Sequence, residues 1–140
     1  MIFRNQDIYQ LIPQRPPMFM VDVVWSATDT DADTGLTIQE DNIFVENGRF
    51  REPGIIEHIA QSSAAFAGYG TFTRGEEPKL GYIGEIKDCV MHVLPAVGDE
   101  LRTHIQLMAE VNGIRLISAE VHVQDTLVAS CQMKIFLKDD

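Results

Sequence analysis

Cations, cysteines and long apolar runs are all scarce in this chain. Of its 140 residues only 11 are Lys or Arg, against 21 Asp or Glu, a formal charge of −10. That balance argues against a nucleic-acid partner, whose phosphates it would repel. The two cysteines, Cys89 and Cys131, have no C-x-x-C spacing, and the four histidines (His58, His92, His104 and His122) are scattered one to a segment. Such a set predicts buried thiols and structural or surface imidazoles, with no disulfide framework, metal site or cofactor. No run approaches the roughly 18 apolar residues of a membrane span. The first seven residues lack the apolar stretch of a signal peptide, so the expected location is cytoplasmic. Repeats, linkers and low-complexity tracts are missing too. With a 45% hydrophobic fraction, the chain reads as one folded domain over 1–140.

What is present is organised around one apolar helix. Pro53 and Gly54 open it and Gly68 and Gly70 are expected to close it as C-terminal caps. Between them Ile55, Ile56, Ile59, Ala60, Ala64, Ala65, Phe66 and Ala67 fall on nearly every side, the pattern of an enclosed helix. Glu57 and Gln61 stand four residues apart and so share a face. A carboxylate in such a cylinder has either a hydrogen-bond partner at a reachable edge or a chemical task. First-turn Glu residues also simply complement the helix dipole, and that plainer reading stands beside the functional one.

Before the helix, residues 5–12 read as a short amphipathic helix stopped by Pro13. Residues 18–25 read as a strand interrupted by Asp22, residues 28–35 as a turn or irregular connection, and residues 36–39 as a second strand. Asn47-Gly48 signals a turn. After the helix nearly everything reads as strand: residues 80–93, bent at Gly81 and Gly84, then 101–111, 114–123 and 127–137 with period-two alternation. Asn112-Gly113 marks a hairpin between the second and third of these. A long apolar helix with small residues Ala60, Ser63, Ala64, Ala67 and Gly68, followed by antiparallel strands with one apolar face, predicts an α+β hotdog, a curved sheet wrapped around one central helix.

Three stretches in this order resemble the hotdog-fold β-hydroxyacyl-acyl-carrier-protein dehydratases over nearly the whole chain. Pro13-x-Arg15-x-Pro17-Met18-x-Met20-Val21-Asp22 is similar to that family's P-H-R-x-P-F-L-L-V-D. Pro53-Gly54-Ile55-Ile56-Glu57-x-Ile59-Ala60-Gln61 is similar to its helix motif ending E-A-M-A-Q. Gly84-x-Ile86-Lys87-x-Cys89-x-Met91-x-Val93, followed by Pro95-x-x-Gly98-Asp99, is similar to its long strand and P-G-D turn. The resemblance implies an acid/base role for Glu57, support from Gln61, and polarisation of a thioester carbonyl by the N–H groups of Gly54 and Ile55. The family's G-H-F-P histidine has Gly48-Arg49-Phe50-Arg51 in its place, and the histidine of P-H-R is Gln14. Arg49 could polarise a carbonyl or hold a carboxylate but cannot exchange a proton near neutral pH. His58, next to Glu57 in sequence, is a further candidate for substrate contact, although it projects about 100° away around a helix and a packing or surface role is its plainer reading.

The resemblance leaves three functional expectations: dehydration of a 3-hydroxyacyl thioester, carried by an acyl carrier protein or coenzyme A, to the trans-2-enoyl thioester; a non-catalytic hotdog partner subunit or acyl-binding protein; and a hotdog acyl thioesterase. It also implies a homodimer joined at sheet edges. An acidic carrier protein would need local positive charge on this chain, with Arg15, Arg49, Arg51, Arg74, Lys79 and Lys87 as candidates.

Overall fold

The computed structural model describes residues 2–77 and 81–137. The elements run β1 (Phe3–Arg4), a 3₁₀ helix (Asn5–Gln10), β2 (Val23–Ala27), β3 (Asp31–Thr37), β4 (Val45–Glu46), β5 (Arg49–Phe50), α1 (Glu52–Thr73), β6 (Gly81–Met91), β7 (Glu100–Val111), β8 (Ile114–Val123) and β9 (Thr126–Leu137). β4 and β5 form a small hairpin around Asn47-Gly48, and the other strands form one seven-stranded sheet in the order β1-β2-β3-β7-β8-β9-β6. Every pairing in the sheet is antiparallel. Register shifts interrupt β2, β6, β7 and the β8–β9 pairing. Bulges of this kind raise local twist and bend strands, which curves a sheet around a helix. This is the hotdog arrangement the sequence predicts.

α1 is enclosed from two sides. Ile55, Ile59 and Phe66 pack with Leu36, Ile105, Ile117, Val121 and Met133 on the concave sheet face. Ala64 and Ala65 pack instead with Phe3, Ile8, Leu11, Ile12, Val21 and Val24, so the N-terminal segment lids the helix's other side. Buried hydroxyls find partners: Thr34 and Ser62 share a 2.7 Å hydrogen bond, and Ser63 donates to the Ile59 carbonyl at 2.9 Å.

Four expectations are corrected. α1 does not stop at Gly68 or Gly70 but continues to Thr73. Gly68 is there for close approach, since a Cβ on it would lie 1.9 Å from the Leu11 carbonyl oxygen. Residues 18–22 stay outside the ladder, for a reason that belongs to the site below. The supposed connection at 28–35 is mostly strand β3: Thr28 Oγ1, accepting the Thr30 and Asp31 N–H groups at 3.1 Å each, confines the turn to its first residues. Cys89 is exposed rather than buried, although Cys131 is buried as expected. Leu80, the expected start of the long strand, lies outside the described residues.

The paired glycines separate packing from helix propensity. Gly68→Ala is expected to lower stability by about 1–3 kcal/mol through overpacking. Gly70→Ala, whose Cβ would meet nothing nearer than Arg74 Nη1 at 3.4 Å, should be neutral or stabilising, and urea titration of the two variants reads the contrast.

Candidate functional site

The N-terminus of α1 is shaped by packing. Arg51 is the extended N-cap residue and Pro53 occupies the first turn. Gly54 follows because Phe44 and Phe50 already fill the place of a side chain; a Cβ there would come within 2.6 Å of both. The Gly54 and Ile55 N–H groups both donate to the Arg51 carbonyl, at 2.9 and 3.2 Å. They are therefore not vacant donors, which alters the role the family resemblance gave them. What the helix end offers a carbonyl in this arrangement is the positive end of its dipole.

One turn further, Glu57 and Gln61 come together as their spacing predicts. Gln61 Nε2 donates to Glu57 Oε2 at 2.9 Å. The same amide nitrogen donates to the Met18 carbonyl at 2.6 Å, and Gln61 Oε1 accepts the Met20 N–H at 2.7 Å. Gln61 is 1% exposed, whereas Glu57 is only partly buried. One immobilised amide thus fixes a carboxylate at the edge of the core, and among the described residues that carboxylate accepts from no other side chain. Such a group can take or give a proton from a defined position.

His58 is turned into the core. It is fully buried, with Nδ1 2.7 Å from the Met20 carbonyl and Nε2 2.7 Å from Thr103 Oγ1. Burial lowers its pKa to about 4 despite the Met20 hydrogen bond, so the ring is neutral at pH 7. Placed as a substrate contact by its neighbourhood in sequence, it instead has both nitrogens engaged and no surface free. The Met20 peptide is therefore gripped by two helix side chains, Gln61 on its N–H and His58 on its carbonyl. This is why residues 18–21 carry a strand's composition without a strand's pairing, and only the amide and imidazole types could have hinted at it. Asp22 completes the anchorage by accepting the Thr37 N–H at 2.9 Å. Its burial raises its pKa, with the Thr37 hydrogen bond opposing.

Arg49 is exposed and donates to the Leu94 carbonyl at 3.1 Å, tying the β4–β5 hairpin to the turn after β6. The other histidines are engaged elsewhere or exposed. His104 pairs with Asp33 at 3.0 Å, His122 lines a cavity of about 790 Å³ with Arg4, Trp25 and Arg102, and His92 is exposed after β6. Glu57 does not line that cavity. Of the candidates for a cationic patch, Arg51 pairs with Glu52 at 3.3 Å and Arg74 with Glu76, both at the surface, and Lys87 is exposed on β6. Arg15 stacks on Tyr9 with its guanidinium 4.0 Å from the ring centroid. Lys79 lies outside the described residues. Among the described residues, no three His, Cys, Asp or Glu side chains gather as a metal site would require, and no helix is long and apolar enough to cross a membrane.

Residues 6–140 match the ApeP-like family, described as ApeP dehydratase. The chain belongs to that family. This ApeP-like protein is similar to the 3-hydroxyacyl-[acyl-carrier-protein] dehydratase FabZ of Wolinella succinogenes, 26% identical over 151 aligned residues that span 99% of this chain and 98% of that protein. It is also similar to FabZ of Vibrio cholerae, 28% identical over 91% of this chain and 87% of that one. In structure it is similar to the dehydratase heterocomplex ApeI:P from Xenorhabdus doucetiae, with a TM-score of 0.88 at 17% identity, covering 95% of this chain and 91% of that one. The last likeness carries the hotdog fold alone.

The buried imidazole gives the ApeP-like chain an acid sensitivity of definite sign. Folding holds a proton off His58, so between pH 6.5 and about 4 the unfolded chain binds the extra proton. Its contribution to stability is constant above the unfolded value and is lost as pH falls toward 4, by about 3 kcal/mol in all. In an NMR titration of the imidazole signals, His58 should protonate well after His104, near the onset of acid unfolding; protonation of His58 above pH 6 in the folded protein would contradict the site as drawn.

Proposed function

We propose that this chain serves the dehydration of a 3-hydroxyacyl thioester to the trans-2-enoyl thioester, with Glu57 moving a proton at the reacting carbons. The observation that carries the reading is the Gln61 amide, which holds the Glu57 carboxylate while being itself fixed to the backbone of Met18 and Met20. Elimination of water needs a base for the proton on C2 and an acid for the hydroxyl leaving C3. It also needs positive charge near the thioester oxygen, where the enolate develops, and the start of α1 supplies the dipole for it. The relatives named as 3-hydroxyacyl-[acyl-carrier-protein] dehydratases support the substrate class, with the acyl group on a carrier protein or coenzyme A.

A second proton-transfer group is still required, and the dehydratase family's histidine positions hold Gln14 and Arg49 here. Two observations therefore favour a site shared between chains. His58 is locked in the core. β6 ends the sheet, and among the described residues nothing pairs with its outer edge; Ile83, Ile86 and Val90 along it are 40%, 40% and 46% exposed. Unpaired edges of this length are normally covered. A second hotdog chain paired along β6 would cover it, and the site would then lie at the boundary between subunits. That chain is a copy of this one in a homodimer, or an unlike dehydratase subunit, as supported by the similarity to the ApeI:P dehydratase heterocomplex. In the second case this chain contributes architecture and Glu57 while its partner contributes the histidine.

Turnover of a panel of 3-hydroxyacyl and acyl thioesters, scored for enoyl product and for free thiol, tests the reading. Glu57→Gln should cut enoyl formation by at least ~10²-fold with an unchanged melting temperature. Loss of a few tenths to about 1 kcal/mol of stability with turnover intact would reduce Glu57 to a helix-dipole complement. Inactivity of the wild-type chain alone on every thioester would assign it the partner-subunit role, and release of free thiol would assign it to thioesterases.

A further inference from the structure

Two buried hydrogen bonds tie α1 to the sheet at matched positions. His58 and Ser62 stand one turn apart on one face of the helix. Thr103 and Thr34 stand opposite each other in the β3–β7 ladder. His58 Nε2 lies 2.7 Å from Thr103 Oγ1, and Ser62 Oγ lies 2.7 Å from Thr34 Oγ1, so two rungs join successive turns of α1 to neighbouring strands. All four side chains are 0% exposed. The first rung has a fixed direction. The Met20 carbonyl can only accept, so His58 donates from Nδ1; the neutral ring then carries a lone pair on Nε2, and the Thr103 hydroxyl must donate to it.

Apolar packing does not fix the rotation of such a helix. α1 is apolar on nearly every side: Ile55, Ile59 and Phe66 meet the sheet, while Ala64 and Ala65 meet the N-terminal segment. The close approach of Gly68 to Leu11 seats the helix against that segment, not against the sheet. Gln61 grips Met18 and Met20, but the carbonyl of Met20 is itself held by His58, so this stretch hangs from α1 more than it holds it. The sheet is the rigid frame, and a buried polar pair demands a geometric match that apolar contacts do not.

We propose that the Thr103–His58 and Thr34–Ser62 rungs set the rotation of α1 about its axis, and that Thr34 and Thr103 are thereby positioning residues for Glu57. Glu57 precedes His58 and lies about 100° round the helix from it, so any turn of α1 that breaks the rungs carries the carboxylate out of place. The consequence for turnover rests on the dehydratase reading, whereas the rotation stands without it.

The double variant Thr34→Val with Ser62→Ala removes one rung from both ends and orphans neither hydroxyl, so its circular dichroism and melting temperature should match or exceed those of the wild type. Native-state hydrogen exchange reads the rotation. The Met20 N–H, held by Gln61 Oε1, should exchange at least ~10-fold faster in the double variant, with the Ala119 N–H of mid-sheet β8 unchanged. Thr34→Ser, which keeps the hydroxyl, should exchange as the wild type. Unaltered protection at Met20 would overturn the proposal, as would an equal loss at Met20 and Ala119, the sign of general loosening. In the thioester assay the double variant should lose ~10- to 100-fold in kcat for enoyl formation at unchanged KM. Full kcat with Met20 freed would overturn the positioning role. A wild type that forms no enoyl product would count against the dehydratase reading and not against the rotation, on which the exchange data decide.

Discussion

Everything at this site hangs on the peptide at Met20. Its N–H and C=O are held not by a neighbouring strand but by Gln61 and His58, at 2.7 Å each. Two buried polar side chains and a buried stretch of backbone thereby satisfy one another, the condition under which polar groups are tolerated in a core. The helix, the N-terminal segment and the carboxylate at position 57 take their relative positions from this exchange. Removing either side chain would leave an unpaired peptide group in the interior, a loss of about 1–3 kcal/mol for each orphaned group.

That exchange also explains why neighbours in sequence have such different environments. Glu57 and His58 are adjacent, yet one faces the edge of the core as a carboxylate and the other is sealed in it as a neutral ring. In the dehydratase pattern an acid and an imidazole cooperate. Here the imidazole on the helix has been taken into the structure, joined to Thr103 on β7 as well as to Met20. In the proposed dehydration, what this chain supplies is a positioned carboxylate near a helix N-terminus, and the second proton-transfer group falls to the proposed subunit boundary.

The large features were legible because they rest on periodicity. The apolar residues on all sides of α1, the alternation in β7 to β9, and the Asn-Gly turns all express local rules, and the Glu57–Gln61 contact follows from helical spacing alone. The misread features depend on contacts remote in sequence. The 18–22 segment has a strand's residues, but at Met18 and Met20 its hydrogen bonds go to a helix some forty positions away, and only Asp22 bonds to β3, at the Gly35 carbonyl. Gly68 looks like a cap until Leu11 is seen against it. Asp-rich residues 31–34 look like loop, yet Thr34 pairs with Thr103 in mid-sheet. Helix-end N–H groups likewise look available in sequence, and only the structure shows Arg51 occupying two of them.

The unpaired edge of β6 bears on how the chain must be handled in a cell. Eleven residues of strand with apolar side chains on them form a template for adventitious β-pairing whenever nothing lies against them. Dosage then matters as much as sequence. If the covering chain is the unlike subunit proposed above, a cell making this chain faster than that partner accumulates copies that seek any free strand, and matched synthesis becomes a condition of solubility.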